Sequence, residues 1–555
     1  MMKNMKLKSP LTGLLAIAIL LPTALRAAAS TDEAAIARNL DTFNTLFKEL
    51  NTYYVDSIDA DKSIKVAIDA MLGDLDPYTE YMPASDQDYI LRLTTGYGGI
   101  GSYIMQAGDS VMISEPYDGS PAARAGLKPG DVIVKINGDT TAGWNSEKVS
   151  QHLKGQANTK LSVTVRRPYE GIRQFDIMRE KIRETAVPYY GVARDSIGYI
   201  AVTAFSENSA EEVRNALQQL IADSRVKAIA LDLRSNGGGL LESAVQIVGN
   251  FVPKGTLVLQ QRGKEKQDEK TYKTTQDPIA ADIPLFVFID GNSASASEIT
   301  AGSLQDLDRA VIIGTRSFGK GLVQATRQMP YNGLPKITTG KYYIPSGRLI
   351  QAIDYSHRNI DGSVNRIPDS LTTVFHTAHG REVRDGGGIS PDITVTYPEM
   401  TRLYYNIVRD NWAFNFATRY AHKHPAIASP EEFEITDSIY NEFKQFIDPE
   451  RFKYDKVCED RLADLEKLAE IEGYMNDSTR AQFKVMARLL KHDLNKDLDT
   501  HRSEISQMLA MEILKRYYYQ RGPIIHSLKT DECIDQAMKL VAKPEEYYKI
   551  LNVKR

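Results

Sequence analysis

The stretch Leu285-Phe286-Val287-Phe288-Ile289-Asp290-Gly291-Asn292-Ser293-Ala294-Ser295-Ala296-Ser297-Glu298-Ile299 sets a continuous apolar run against a run of small and polar residues. The apolar part reads as a buried strand, and the pattern from Ala296 onward reads as a helix, with a small-residue turn between them. The same alternation spreads outward on both sides. Upstream, Tyr199-Ile200-Ala201-Val202 reads as a strand, Ser209 to Ala222 as an amphipathic helix, Ala228 to Leu233 as a strand, and a helix follows Gly239. Downstream, Val311-Ile312-Ile313 is a further strand. Strands and helices in this order predict an α/β layer whose central strands are mostly parallel.

That layer is one part of a longer chain. At 555 residues the sequence exceeds what one core can organise, so several domains are expected. Residues 30–95 read as mainly helical. Phe43, Leu46, Phe47 and Leu50 recur at helical spacing, as do Ile64, Ala67, Ile68 and Met71, until Leu75-Asp76-Pro77-Tyr78 breaks the pattern. Residues 96–182 form a β-rich module of short β-branched runs, among them Asp131-Val132-Ile133-Val134-Lys135-Ile136 before the turn signal Asn137-Gly138. The α/β layer occupies 183–399, with a polar, Gly-rich stretch at 355–388 expected to be a long loop or insertion. Residues 400–555 turn helical and charged.

Lys3, Lys6 and Lys8 precede the apolar run Leu11 to Leu21, and Ala27-Ala28-Ala29 follows. This is the order of a cleaved export signal over residues 1–29, and it predicts an extracytoplasmic, periplasmic address. The apolar run is short for a bilayer span. A formal net charge of -4 gives no general case for nucleic acid. Cys458 and Cys533 are the two cysteines; an oxidising compartment permits them to pair, but spacing does not show that they meet. No Cys/His cluster has zinc spacing and no HExxH occurs, so neither a metal nor a cofactor is expected.

Three segments of the α/β layer could carry chemistry, and each has a plainer reading. Leu231-Asp232-Leu233-Arg234-Ser235-Asn236-Gly237-Gly238-Gly239 could let backbone N–H groups approach a substrate oxygen, or could be an ordinary strand-to-helix turn. Ser295 stands at a helix start whose N–H groups favour negative charge, yet Ser295 with Glu298 three residues on also fits a capping box. Lys320, between two glycines in Arg316-Ser317-Phe318-Gly319-Lys320-Gly321, could be a loop charge, or a base if burial frees it of its proton. The spacing of a phosphate-binding loop is absent.

Taken together the segments resemble the C-terminal processing peptidases, or tail-specific proteases. The resemblance covers about residues 40–396. It implies a ClpP/crotonase-like α/β core in a multidomain α+β chain, without cofactor. It implies Ser295 as nucleophile, Lys320 as general base, Gln324 as the residue orienting that base, and backbone N–H groups of Gly239 and Ala296 as the oxyanion hole. Twenty-five residues separate Ser295 from Lys320, as in that family. The family's usual Asn-Pro-Gly-Gly stands here as Asn236-Gly237-Gly238-Gly239. Activity should rise with pH as the lysine sheds its proton.

The β-rich module resembles bacterial PDZ domains. The carriers are Ser120-Pro121-Ala122-Ala123-Arg124-Ala125-Gly126-Leu127-Lys128-Pro129-Gly130-Asp131 and Ile136-Asn137-Gly138. The resemblance implies a carboxylate-binding loop at Gly99, Ile100 and Gly101 that captures substrates with apolar C-termini, with Val149 and Leu153 as candidates for the pocket beside it or for the core. It also admits a homodimer through the N- or C-terminal helices. Two rivals stand beside the peptidase reading. One is a Ser-His-Asp hydrolase using His357, His376 or His379; the other is a peptide-binding scaffold with an inactive protease fold.

Overall fold

The computed structural model describes residues 14–83, 97–359 and 363–553, with side chains from residue 33 onward. The chain forms two compact units that divide between Tyr81 and Met82.

The first unit holds two helices, α1 (Leu14–Tyr53) and α2 (Ala60–Gly73). Asp59 caps α2 by accepting the Lys62 N–H at 3.1 Å. After α2 the Asp76 carboxylate accepts the N–H groups of Tyr78 and Thr79, each at 2.8 Å, which closes the turn that breaks the helical pattern. Leu40, Phe43, Leu46 and Leu50 of α1 keep the helical spacing but stand exposed. Of the export-signal residues, Lys3, Lys6, Lys8 and Leu11 lie outside the described residues. No helix among the described residues is long and apolar enough to cross a membrane.

The second unit begins with the β-rich module. Strands β1 (Ser102–Ala107), β2 (Ser110–Pro116), β3 (Val132–Ile136), β4 (Lys160–Arg167) and β5 (Gly171–Met178) pair antiparallel in that order, and helix α3 (Ser146–Leu153) covers the sheet. Ile113, Ile133, Val163 and Val149 fill its core.

Six strands make the central sheet: β6 (Tyr189–Ala193), β7 (Ile197–Ala201), β8 (Ala228–Asp232), β11 (Leu285–Ile289), β12 (Val311–Gly314) and β15 (Ile393–Thr394), in that spatial order. Only β6 is antiparallel to its neighbour; the rest run parallel. The register aligns Ile200, Leu231, Val287 and Ile312 on one face, and Tyr199, Ala230, Phe286 and Val311 on the other. The first row packs under α4 (Ser209–Ala222), α5 (Leu241–Val248) and α6 (Ala296–Asp306). The second is covered by α7 (Glu532–Ala542) and α8 (Pro544–Ile550), through Ile534, Ala537, Leu540 and Tyr547. A parallel strand buried on both faces must be apolar throughout, which is why Leu285–Ile289 shows no alternation. Phe286 and Phe288 are both fully buried, and each contributes about 2 kcal/mol of hydrophobic stabilisation.

A second, antiparallel sheet stands beside the first. In it β9 (Leu257–Gly263) pairs with β10 (Lys270–Lys273) and with β14 (Leu334–Tyr343), which pairs in turn with β13 (Leu322–Thr326). The polar stretch 355–388 is not the long loop its composition suggests. Residues Ile353–Arg358 pair with Val364–Arg366, and Val374–His376 pair with Glu382–Arg384. Two contacts tie it to the core, although most of its charged residues stay exposed: Arg381 bonds Asp308 and Asp392, and the Arg384 carbonyl accepts from Arg348 at 3.1 Å.

Residues 402–527 are helical, with a core of Phe416, Tyr440, Phe443, Leu509 and Ile513. They seat the β-rich module: Gly130 lies so close to Thr418 that an added Cβ would come within 2.9 Å of it, and Tyr169 stacks on His422. Cys533 is buried, Cys458 is exposed, and both are free thiols.

Candidate active site

Two turns meet at the carboxyl ends of the central strands, the edge where open parallel sheets place their ligands. The turn after β8 carries Asn236 to Gly239, and the turn after β11 carries Asp290 to Ser295. Side chains lace them together. The Asp290 carboxylate accepts the Ser235 N–H at 2.9 Å, and Ser293 Oγ donates to the Leu233 carbonyl at 2.8 Å. Asn236 accepts the Gly238 N–H through its side chain at 2.9 Å, while its carbonyl accepts Ser297 Oγ at 2.8 Å.

Two of the three glycines are obligatory. At Gly238 (φ +103°) a Cβ would lie 2.7 Å from the Ala294 carbonyl oxygen and 2.9 Å from Ser295 Cβ. At Gly239 (φ +146°) it would run into the Phe205 carbonyl. Gly237 has nothing within 4 Å of its Cβ position, so close packing does not demand a glycine there. Ser295 itself has φ +57° and ψ -112°, a conformation that costs a residue with a side chain of order 1–3 kcal/mol and persists only where its surroundings enforce it.

Glu298 supplies much of that enforcement. It is fully buried in α6, and its Oε2 accepts the Ser295 N–H at 2.9 Å, the capping contact read from the sequence. The same oxygen accepts the Lys320 N–H at 2.8 Å, and Oε1 accepts the Gly319 N–H at 2.7 Å and the Ser317 hydroxyl at 2.5 Å. Burial pushes the Glu298 carboxyl up to about 7, and these hydrogen bonds oppose the shift. Tyr342 makes a second bridge: its hydroxyl meets the Lys320 carbonyl at 2.6 Å and the Ser295 carbonyl at 3.2 Å. In the sequence Glu298 reads as a helix cap, and Tyr342 carries no sign of its role. The signal for Glu298 was available: a carboxylate among Ser and Ala residues of a helix with no exposed face must be buried, and a buried carboxylate needs donors.

Ser295, Lys320, Gln324 and Gly239 line one cleft of about 580 Å³, together with Tyr342 and Ile299. Ser295 and Lys320 are half-buried, and Ala296 is fully buried at the first turn of α6. Gln324 donates from Nε2 to Thr338 Oγ1 at 3.1 Å. No histidine is among the described residues that line this cleft. His357 pairs with Asp354 at 2.6 Å on an exposed strand, and His379 pairs with Asp308 at 3.2 Å. Asp232 is engaged by Arg234 and by the Tyr199 hydroxyl.

A second, smaller groove of about 190 Å³ lies in the β-rich module. Gly99, Ile100 and Gly101 line it, opposite Ser150 and Leu153 of α3. Val149 is not part of this groove; it is fully buried in the module's core, to which Leu153 also belongs.

Residues 196–357 match the model of peptidase family S41, residues 112–167 that of the PDZ domain, and residues 403–541 that of the probable PDZ-protease C-terminal helical domain. A probable CtpA-like serine protease of Staphylococcus aureus (strain COL) is 30% identical over 464 residues, covering 82% of this chain and 83% of that protein. The chain belongs to peptidase family S41. Another relative, the carboxy-terminal-processing protease of Bartonella bacilliformis, is 35% identical over 329 residues, which is 58% of this chain and 75% of that one. Among solved structures, the photosystem II D1 C-terminal processing protease is 26% identical over 63% of this chain and 86% of that one, with a TM-score of 0.35. As an S41 member the chain is a serine peptidase, and its PDZ domain and cleft are those of a protein that takes peptide substrates.

Proposed function

We propose that this peptidase is an exported endopeptidase that cleaves proteins by acyl transfer at Ser295, with Lys320 as base, after its PDZ domain has taken up an apolar C-terminal tail. The observation that carries the reading is the double bridge: one carboxylate and one phenol each bond the backbones of both Ser295 and Lys320 beside the glycine turn. Neutral Lys320 Nζ takes the Ser295 proton as Oγ attacks the peptide carbonyl, and the oxyanion forms against the N–H groups of Gly239 and Ala296. The ammonium then protonates the leaving amine, and a water activated by the same lysine hydrolyses the ester. Gln324, on the strand after the lysine, orients the base.

Ile100, Ile104 and Leu153 give the PDZ groove an apolar lining, which supports apolar tails as ligands. The chain is divided, on its sequence, into a 1–29 export signal, 30–95 helical domain, 96–182 PDZ domain, 183–399 peptidase core and 400–555 helical region; helix α1 runs unbroken from Leu14 to Tyr53 across the first of these boundaries. Exposed Leu40 and Phe43 of α1, and Leu465, Leu468 and Ile471 of the helix Val457–Ile471, support a homodimer through terminal helices. A serine-directed fluorophosphonate should label the wild type and not Ser295→Ala, and folded Lys320→Ala should lose turnover. Near-full activity in either variant would overturn the dyad.

A further inference from the structure

Asp531 sits at the start of α7, almost three hundred positions beyond the glycine turn, and its two oxygens do different work. Oδ1 caps the helix, accepting the N–H groups of Cys533 at 2.8 Å and Ile534 at 3.1 Å. Oδ2 accepts Arg234 Nη2 at 2.6 Å. Arg234 is shared: it also bonds the Asp232 carboxylate through Nε at 2.9 Å and Nη2 at 2.5 Å, and donates to the Tyr397 hydroxyl at 3.2 Å. Asp232, at the end of β8, accepts the Tyr199 hydroxyl at 2.6 Å.

One guanidinium thus joins two nearly buried carboxylates whose side chains are only 8% and 6% exposed. Such ions persist only while each keeps its partner, so the arrangement fixes Arg234 closely. The chain then leaves Arg234 through Ser235, held at φ +56°, directly into Asn236 and the three glycines. Nothing in the helix cap requires the second oxygen of Asp531. We infer that Asp531 is a positioning residue for the oxyanion-binding turn, acting through Arg234, so that the C-terminal helices set the geometry of catalysis as well as covering the sheet. The inference rests on the reading of Gly239 and Ala296 as oxyanion donors.

The cap and the ion pair can be separated. Asparagine caps helices as well as aspartate, so Asp531→Asn keeps the cap of α7 while an uncharged NH2 group replaces the acceptor facing Arg234. Arg194→Ala is the control, because it releases the same helices elsewhere: Arg194 bonds the Leu528 carbonyl at 3.1 Å and Asp535 at 3.3 Å, away from the glycine turn. Asp531→Asn should lower kcat by about tenfold with KM changed less than about twofold. Its affinity for a peptide aldehyde, whose hemiacetal oxygen occupies the oxyanion position, should fall in parallel. Affinity for uncleaved peptide in a Ser295→Ala background should not change, and Arg194→Ala should keep wild-type kcat. Unchanged kcat and aldehyde affinity in Asp531→Asn, or an equal fall in Arg194→Ala, would overturn the inference while leaving the dyad standing. Cleavage that survives Ser295→Ala would overturn the dyad and this inference with it.

Discussion

Glu298 accepts the backbone N–H of Lys320 at 2.8 Å, across twenty-two residues of chain, through the oxygen that also holds the nucleophile's own N–H. The relative placement of Ser295 and Lys320 is therefore written into one side chain. A glutamine keeps the size but offers one acceptor oxygen, and its NH2 group faces donors. Glu298→Gln should lower kcat/KM about 100-fold, the scale on which small misplacements of reacting groups act. Steady-state cleavage of a peptide checks it.

The same carboxylate gives activity a pH dependence of known sign. Only the ionised form can accept all four donors, so the tie is complete above about pH 7 and weakens below it. Its effect on stability runs the other way. A folded-state value raised above the ordinary carboxylate range favours folding below that range, and the contribution is lost as pH rises through about 7. The kcat/KM profile should therefore climb through neutrality, and Glu298→Gln should lose that limb while keeping any limb that belongs to Lys320.

Adjacent glycines should answer differently to one methyl group. Gly238→Ala forces a Cβ to within 2.9 Å of Ser295 Cβ at a left-handed φ, and should abolish turnover. Gly237→Ala meets open space and should keep it. Rates for both variants, with circular dichroism to show that each is folded, make the comparison.

Arg348 is almost completely buried and donates to Asp306 and Gln305, each at 2.8 Å, at the far end of the helix that begins beside Ser295. Arg348→Ala strands the Asp306 charge and should cost about 3–5 kcal/mol in denaturant unfolding.

The histidines should be dispensable. His357→Ala, His376→Ala and His379→Ala should each keep turnover within about threefold of wild type, since none lines the cleft. Loss of activity in any one would revive the Ser-His-Asp alternative.

The central layer was legible because its physics is local. Leu285–Ile289 is apolar throughout since both its faces are covered, and Ser209–Ala222 alternates with a helical period since only one of its faces is. The candidate site was legible as a set of motifs, yet the ties that assemble it were not. Glu298 and Tyr342 join positions that no period or spacing connects. The stretch 355–388 misled for a different reason. Its polarity hid two short strand pairs, beside which Arg381 reaches Asp308 and Asp392. Val149 and Leu153 share a helical face and both join the module's core; that Leu153 alone of the two also reaches the groove depends on how α3 packs on its sheet, which spacing does not encode.

The two helices that cover Phe286 and Phe288 come, in chain order, after every strand they cover. A growing chain can pair all six strands and still leave that face of the sheet wet. That face of the core is thus closed by helices that follow all of its strands in the chain. Until those two helices close over Phe286 and Phe288, Ser295 and Lys320 belong to a sheet whose other face has no cover, so the site's scaffold is completed from a part of the chain far from either residue.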